Sequence, residues 1–133
     1  MSPYFVAVDL GGTQIRTALC SADGQIFRKV VRKTEAKEGL EAVLGRIYAS
    51  VDEAISDTPG SDICAIGVGA PGPVDPKSGM ILEPPNLPGW KCVPLRSLLS
   101  AKFGRPTFLG NDANAAALAE HLYGAGRGVQ DMI

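Results

Sequence analysis

Net charge is what this sequence most lacks: 13 Lys and Arg stand against 14 Asp and Glu, for a formal charge of -1. So balanced a chain has no electrostatic footprint for nucleic acid or for an anionic membrane surface, which points to small-molecule partners. Histidine is represented by His121 alone, and one histidine makes no zinc site. Only three cysteines occur, Cys20, Cys64 and Cys92, odd in number and far apart. That excludes a disulfide framework and reads as buried, reduced thiols. No apolar run approaches the about 20 residues that cross a bilayer, and the first strand-like run starts at Tyr4 with no basic leader before it. A cytoplasmic protein that engages no membrane is the expectation. Hydrophobic residues make up 45% of the 133, enough to bury one compact core and too short a chain for two domains.

Apolar periodicity divides the chain into elements. Residues 4–8 read as a buried strand, and residues 14–20 alternate, with Ile15, Thr17 and Leu19 on one face. Asp23 and Gly24 signal a hairpin into a third strand over residues 25–32. From Leu40 the period turns helical, through Val43, Leu44, Ile47, Val51 and Ile55, until Thr58, Pro59 and Gly60 break it. Residues 63–70 are continuously apolar or glycine, as expected of a central parallel strand covered on both faces. Residues 71–90 are rich in Pro, Gly and Asn and too long for an ordinary connection, so they read as a substrate loop. A helix follows, with Leu95, Leu98 and Leu99 on its apolar face and Gly104 ending it. Residues 107–109 make a short strand, and Asn111 or Asp112 opens an alanine-rich helix to about Tyr123. After a glycine-rich turn, residues 129–133 begin another strand. A three-strand meander followed by alternating helices and strands predicts an α/β domain, a mixed sheet in the order of the ribonuclease-H-like lobe of actin-type ATPases.

Three segments carry chemistry. In DLGGT, Asp9–Thr13, Gly11 and Gly12 leave backbone N–H groups open to phosphate oxygens. Asp9 is placed to hold a hydrated Mg²⁺ ion and Thr13 to donate its hydroxyl to phosphate. A plain hairpin turn needs neither the acid nor the hydroxyl. A strand rather than a helix follows the glycines, which excludes a Walker loop and a dinucleotide fingerprint. In the second segment Asn111, Asp112 and Asn114 cluster where a strand's carboxyl end meets a helix, the edge at which open α/β sheets bind ligands. One Asn or Asp there is an ordinary helix cap, but three exceed that need. Ala115, Ala116 and Ala117 predict close packing of this helix, and Asp112 is the candidate base for a sugar hydroxyl. In the third segment Gly69 and Gly72 permit close backbone approach, Asn86 offers donor and acceptor to a polyol, and Trp90 anchors the loop. Asp75 and Glu83 are the loop's reserve candidates for the base.

DLGGTQIR, GVGAPGPVD, NLPGW and LGNDANAAALAEHLYGAG, in this order, resemble the motifs of the ROK family of repressors and sugar kinases. The resemblance runs through essentially the whole chain. It implies that Gly11, Gly12 and Thr13 face ATP phosphates, that Asp112 is the general base, and that Asn111 binds sugar hydroxyls with Gly72 and its neighbours lining the sugar. It further implies ATP and Mg²⁺ as cofactors, a hexose or N-acetylhexosamine substrate with glucose first, and a homo-oligomer of the complete protein. The family's zinc-binding Cys/His cluster, its downstream sugar-binding segment and its adenosine motifs have no counterpart here. Residues 1–133 therefore read as the N-terminal lobe of a two-lobe kinase, inactive alone, with structural zinc expected in the second lobe.

Two rival readings are weighed against this one. A sugar-responsive ROK regulator would carry a DNA-binding module, for which a first strand near Tyr4 leaves no room ahead of it in this chain. An actin-like nucleotide switch would need the phosphate loop but not Asn111, Asp112 and the sugar loop.

Overall fold

The computed structural model describes residues 3–128 and residue 130. The meander forms as expected, with β1 (Tyr4–Leu10), β2 (Gln14–Ser21) and β3 (Ile26–Lys33) in antiparallel register. The β2–β3 turn closes through Gly24, whose φ of 91° lies in the left-handed region that glycine adopts without strain. α1 (Leu40–Ala54) crosses back, and β4 (Ile63–Ala70) lies parallel to β1. α2 (Leu95–Phe103) leads to β7 (Thr107–Asn111), parallel to β4, and α3 (Asp112–Tyr123) follows without a break. The five-stranded sheet runs β3-β2-β1-β4-β7, the arrangement of a ribonuclease-H-like lobe. β1, not β4, is its middle strand, because the meander places two strands on one flank of β1 and the crossovers add two on the other.

Among the described residues, helices close only one face of the sheet. Val6, Val8, Leu10, Ile15, Leu19, Ile66 and Val68 point to that face and are buried. α1 meets them with Val43, Leu44, Ile47 and Val51, as the period-3.6 pattern requires, and α2 adds Leu95 and Leu99. The two helices touch through Tyr48 and Phe103, ring centroids 6.2 Å apart. Thr17 of β2 and Ser50 of α1, both buried, share a 2.8 Å hydrogen bond, so these two polar side chains inside the layer are satisfied.

On the opposite face Ala7, Asp9, Arg16, Cys64, Gly67 and Phe108 are exposed. β4 is thus covered on one face rather than two, since its apolar run alternates buried and exposed. α3 begins over this open face but does not close it, and Ala115 and Ala116 are exposed rather than packed. The thiols depart from expectation for the same kind of reason. Cys64 points to the open face and is exposed, Cys92 lies exposed in a loop, and only Cys20 is part-buried; all three are free. The expected strand at residues 129–133 lies outside the described residues, as do the side chains of Ala117, Glu120 and His121. Among the described residues no helix is long and apolar enough to cross a membrane.

Residues 71–90 are more ordered than a loop. β5 (Val74–Asp75) and β6 (Met80–Ile81) form a small hairpin, and Ile81 exchanges hydrogen bonds with Val93. Arg96 at the start of α2 donates to the carbonyls of Pro76 and Lys77, each at 3.0 Å, and pins the hairpin tip. Leu87 and Trp90, both fully buried, anchor the far end. The anchoring role expected of Trp90 is met by apolar packing, and its indole N–H has no partner among the described residues.

Candidate functional site

The carboxyl ends of the three parallel strands fall in one row. Asp9 of β1 registers with Gly69 of β4, and Gly69 with Gly110 of β7. Because the other two residues of that row are glycines, space is left above the sheet edge for the start of α3. A side-chain carbon built on Gly69 would lie 3.5 Å from Cα of Asp112, so the helix enters in van der Waals contact with the strand. Asp9, Asn111 and Asp112 then line one cavity of about 780 Å³, with Arg16 and Asn114 on its walls. The sequence places these residues in two segments far apart along the chain, and the parallel register of β1, β4 and β7 brings them together.

The start of α3 uses polar atoms for two purposes. Oδ1 of Asn111 accepts the Ala113 N–H at 3.0 Å and the Asn114 N–H at 3.1 Å, which is helix capping. Its amide nitrogen has no hydrogen-bond partner among the described residues and lies 3.0 Å from where a side-chain carbon on Gly72 would sit. A residue larger than glycine at position 72 would therefore displace the Asn111 amide nitrogen. Asp112 accepts the Ala113 N–H with Oδ1 at 2.8 Å, while Oδ2 has no protein partner among the described residues. Capping thus explains one oxygen on each residue, and Asn111 Nδ2 and Asp112 Oδ2 make no hydrogen bond among the described residues.

The glycine loop is a separate wall. Gly11 N–H donates to the Gln14 carbonyl at 2.9 Å and closes a tight turn, and the N–H groups of Gly12 and Thr13 make no hydrogen bond among the described residues. Unpaired, adjacent backbone donors are the requirement for cradling an anion. Gly12 and Thr13 line a second cavity of about 590 Å³ together with Asn86. A side-chain carbon on Gly12 would come within 3.0 Å of the Asn86 side chain, so the absence of a side chain there admits Asn86 as well as any phosphate. The structure places Asn86 against the glycine loop and not in the cavity of Asn111 and Asp112. Gly72 lines neither cavity directly and reaches the site through Asn111.

Two contributors escape the sequence reading. Arg16 pairs across β1 and β2 with Asp9, shares the first cavity, and spends two hydrogen bonds on the Gln14 side chain, at 3.1 and 3.3 Å. Its place at the end of DLGGTQIR, in alternation with buried Ile15 and Thr17, already assigns it to the open face. Thr34 packs under the glycine loop, and nothing in its local sequence marks it.

Asp9 fits a magnesium ion held through water and phosphate, since it is an exposed carboxylate facing the cavity. Among the described residues no group of three or more His, Cys, Asp or Glu is arranged to hold a metal by itself. Asp75 is occupied elsewhere. Its carboxylate accepts from the Ser78 hydroxyl at 2.8 Å and the Lys77 N–H at 3.1 Å, and those bonds hold it below the usual carboxylate range.

Residues 5–133 match the model of the ROK family. A glucokinase of Thermotoga maritima is 43% identical over 92% of this chain, which spans 38% of that protein. A xylose repressor of Caldicellulosiruptor bescii is 32% identical over 96% of the chain and 32% of its own length. Among solved structures, a ROK family glucokinase from Streptomyces griseus in complex with glucose and AMPPNP superposes with a TM-score of 0.84 at 34% identity, covering 94% of this chain and 38% of that one. The chain thus spans 32–38% of the length of these three proteins.

Proposed function

The chain belongs to the ROK family, and from that premise we propose that it forms the N-terminal lobe of a two-lobe kinase that transfers the γ-phosphoryl group of ATP to a hexose hydroxyl, glucose first. The observation that carries this reading is the free Oδ2 of Asp112 in one cavity with Asp9 and Asn111, beside a glycine loop with unpaired N–H groups. Its likeness to glucokinases supports the choice of sugar.

In the complete protein Asn111 Nδ2 donates to a sugar hydroxyl and orients it. Asp112 Oδ2 accepts the proton of the attacking hydroxyl as its oxygen bonds to the γ-phosphorus and the bond to the β-phosphate oxygen breaks, releasing ADP. The N–H groups of Gly12 and Thr13 hold phosphate oxygens, and Asn86 bridges this loop to residues 71–90. Asp9 would hold, through water, a Mg²⁺ ion bound with the nucleotide, which would supply charge neutralisation on the phosphates. Positioning contributes most of the rate, so this lobe alone is expected to turn over little. Structural zinc, a homo-oligomer and a cytoplasmic location complete the proposal for the full-length protein.

A second reading has its own observation, the likeness to a xylose repressor. ADP release from the full-length protein, coupled to a dehydrogenase reporter over a panel of hexoses and N-acetylhexosamines, tests both. Sugar-dependent ADP release is the expected result. Sugar binding without ADP release across the panel would favour the regulator.

A further inference from the structure

Thr34 directly follows β3 and is 0% exposed. The β2–β3 ladder ends at the Gln14–Lys33 pair, and Thr34 carries the pairing one residue beyond the sheet, onto the glycine loop. Its N–H donates to the Thr13 carbonyl at 2.8 Å, and its hydroxyl donates to the Gly11 carbonyl at 2.7 Å. Behind it, Nη1 of Arg46 on α1 donates to the Thr34 carbonyl at 2.9 Å, and Arg46 is ion-paired with Glu38. The loop is thereby tied through one residue to the helix that closes the sheet's buried face.

A trans peptide sends its C=O and the following N–H to opposite sides. A Gly11 carbonyl held toward Thr34 therefore keeps the Gly12 N–H turned away from Thr34 and toward the open side of the loop. Between two glycines no Cβ opposes rotation of that peptide plane, so its orientation needs an external hold. The Thr34 hydroxyl supplies one. We infer that Thr34 is a positioning residue that fixes the Gly11–Gly12 peptide plane and so aims the Gly12 N–H at a phosphate oxygen of bound nucleotide. This rests on the kinase reading for the identity of the anion.

The test uses the full-length protein with two variants, Thr34→Val, which keeps the shape and removes the donor, and Thr34→Ser, which keeps the donor. Calorimetric titration with AMPPNP, without sugar, reads the loop alone. The expected result is affinity weakened by about tenfold in Thr34→Val and restored to near wild type in Thr34→Ser, as one oriented hydrogen bond would give. The ATP KM should rise in parallel while the sugar KM at saturating ATP holds. A folded Thr34→Val with unchanged AMPPNP affinity, or a Thr34→Ser as impaired as Thr34→Val, overturns the inference. If Thr34→Val does not fold, amide exchange in the unmodified protein decides: the Gly12 N–H should exchange more slowly with AMPPNP bound, and an unchanged rate overturns the inference. A wild type that binds AMPPNP but phosphorylates no sugar sinks the kinase reading and leaves this one standing, whereas no AMPPNP binding sinks both.

Discussion

Replacing Asp112 by Asn in the full-length protein separates catalysis from capping within one substitution. Asp112 Oδ1 accepts the Ala113 N–H at 2.8 Å, and an asparagine Oδ1 accepts it equally well. Asn111 independently caps Ala113 and Asn114, so the start of α3 does not depend on position 112. Exchanging one good capping residue for another should change stability by less than about 0.5 kcal/mol. What the substitution removes is the proton-accepting capacity of Oδ2, the atom left free in the cavity. A positioned base typically contributes on the order of 10²–10⁴-fold, so turnover should fall by about 100-fold or more, equivalent to roughly 2.7 kcal/mol of transition-state stabilisation. Coupled ADP release at saturating ATP and sugar measures the loss, and thermal melting checks that the fold is kept. Turnover within about threefold of wild type would refute the base assignment. Asp9, in the same cavity, would then be the next candidate, since Asp75 is bonded to Ser78 and Lys77 and Glu83 lines neither cavity.

Gly12→Val should raise the ATP KM by about tenfold or more, because the new side chain would meet the Asn86 side chain at 3.0 Å and obstruct backbone approach to phosphate; an unchanged ATP KM would return the loop to an ordinary turn. The 133-residue chain by itself should self-associate, because Phe108 (64% exposed), Leu118 and Leu122 sit on the open face or on α3, and sedimentation as a clean monomer at high concentration would count against this. A thiol reagent at pH 8 should label Cys64 and Cys92 quickly and Cys20 slowly, since burial pushes the Cys20 thiol up and keeps less of it as thiolate; equal rates at the three would contradict the burial described.

Much of this protein is legible in its sequence because it is local. The alternation of Ile15, Thr17 and Leu19, the helical spacing from Val43 to Val51 and the Asp23–Gly24 turn each state their own structure through short-range periodicity and turn chemistry. Asp9 to Thr13 and Asn111 to Asp112 were likewise identifiable, since each places polar groups and glycines where a strand ends. Tertiary structure decided what depends on distance across the fold. Whether an apolar strand such as β4 is covered on one face or two depends on what stands beside it, and its own residues read the same in either case. Cys64 faces the open side for that reason. Asn86 lies against Gly12 rather than Asn111 because β5, β6 and the buried Trp90 set the course of residues 71–90. Thr34 has no local mark at all: its role exists only because the β2–β3 register sets it opposite Thr13, and hydrogen bonds across 23 residues of chain are invisible to any pattern read along it.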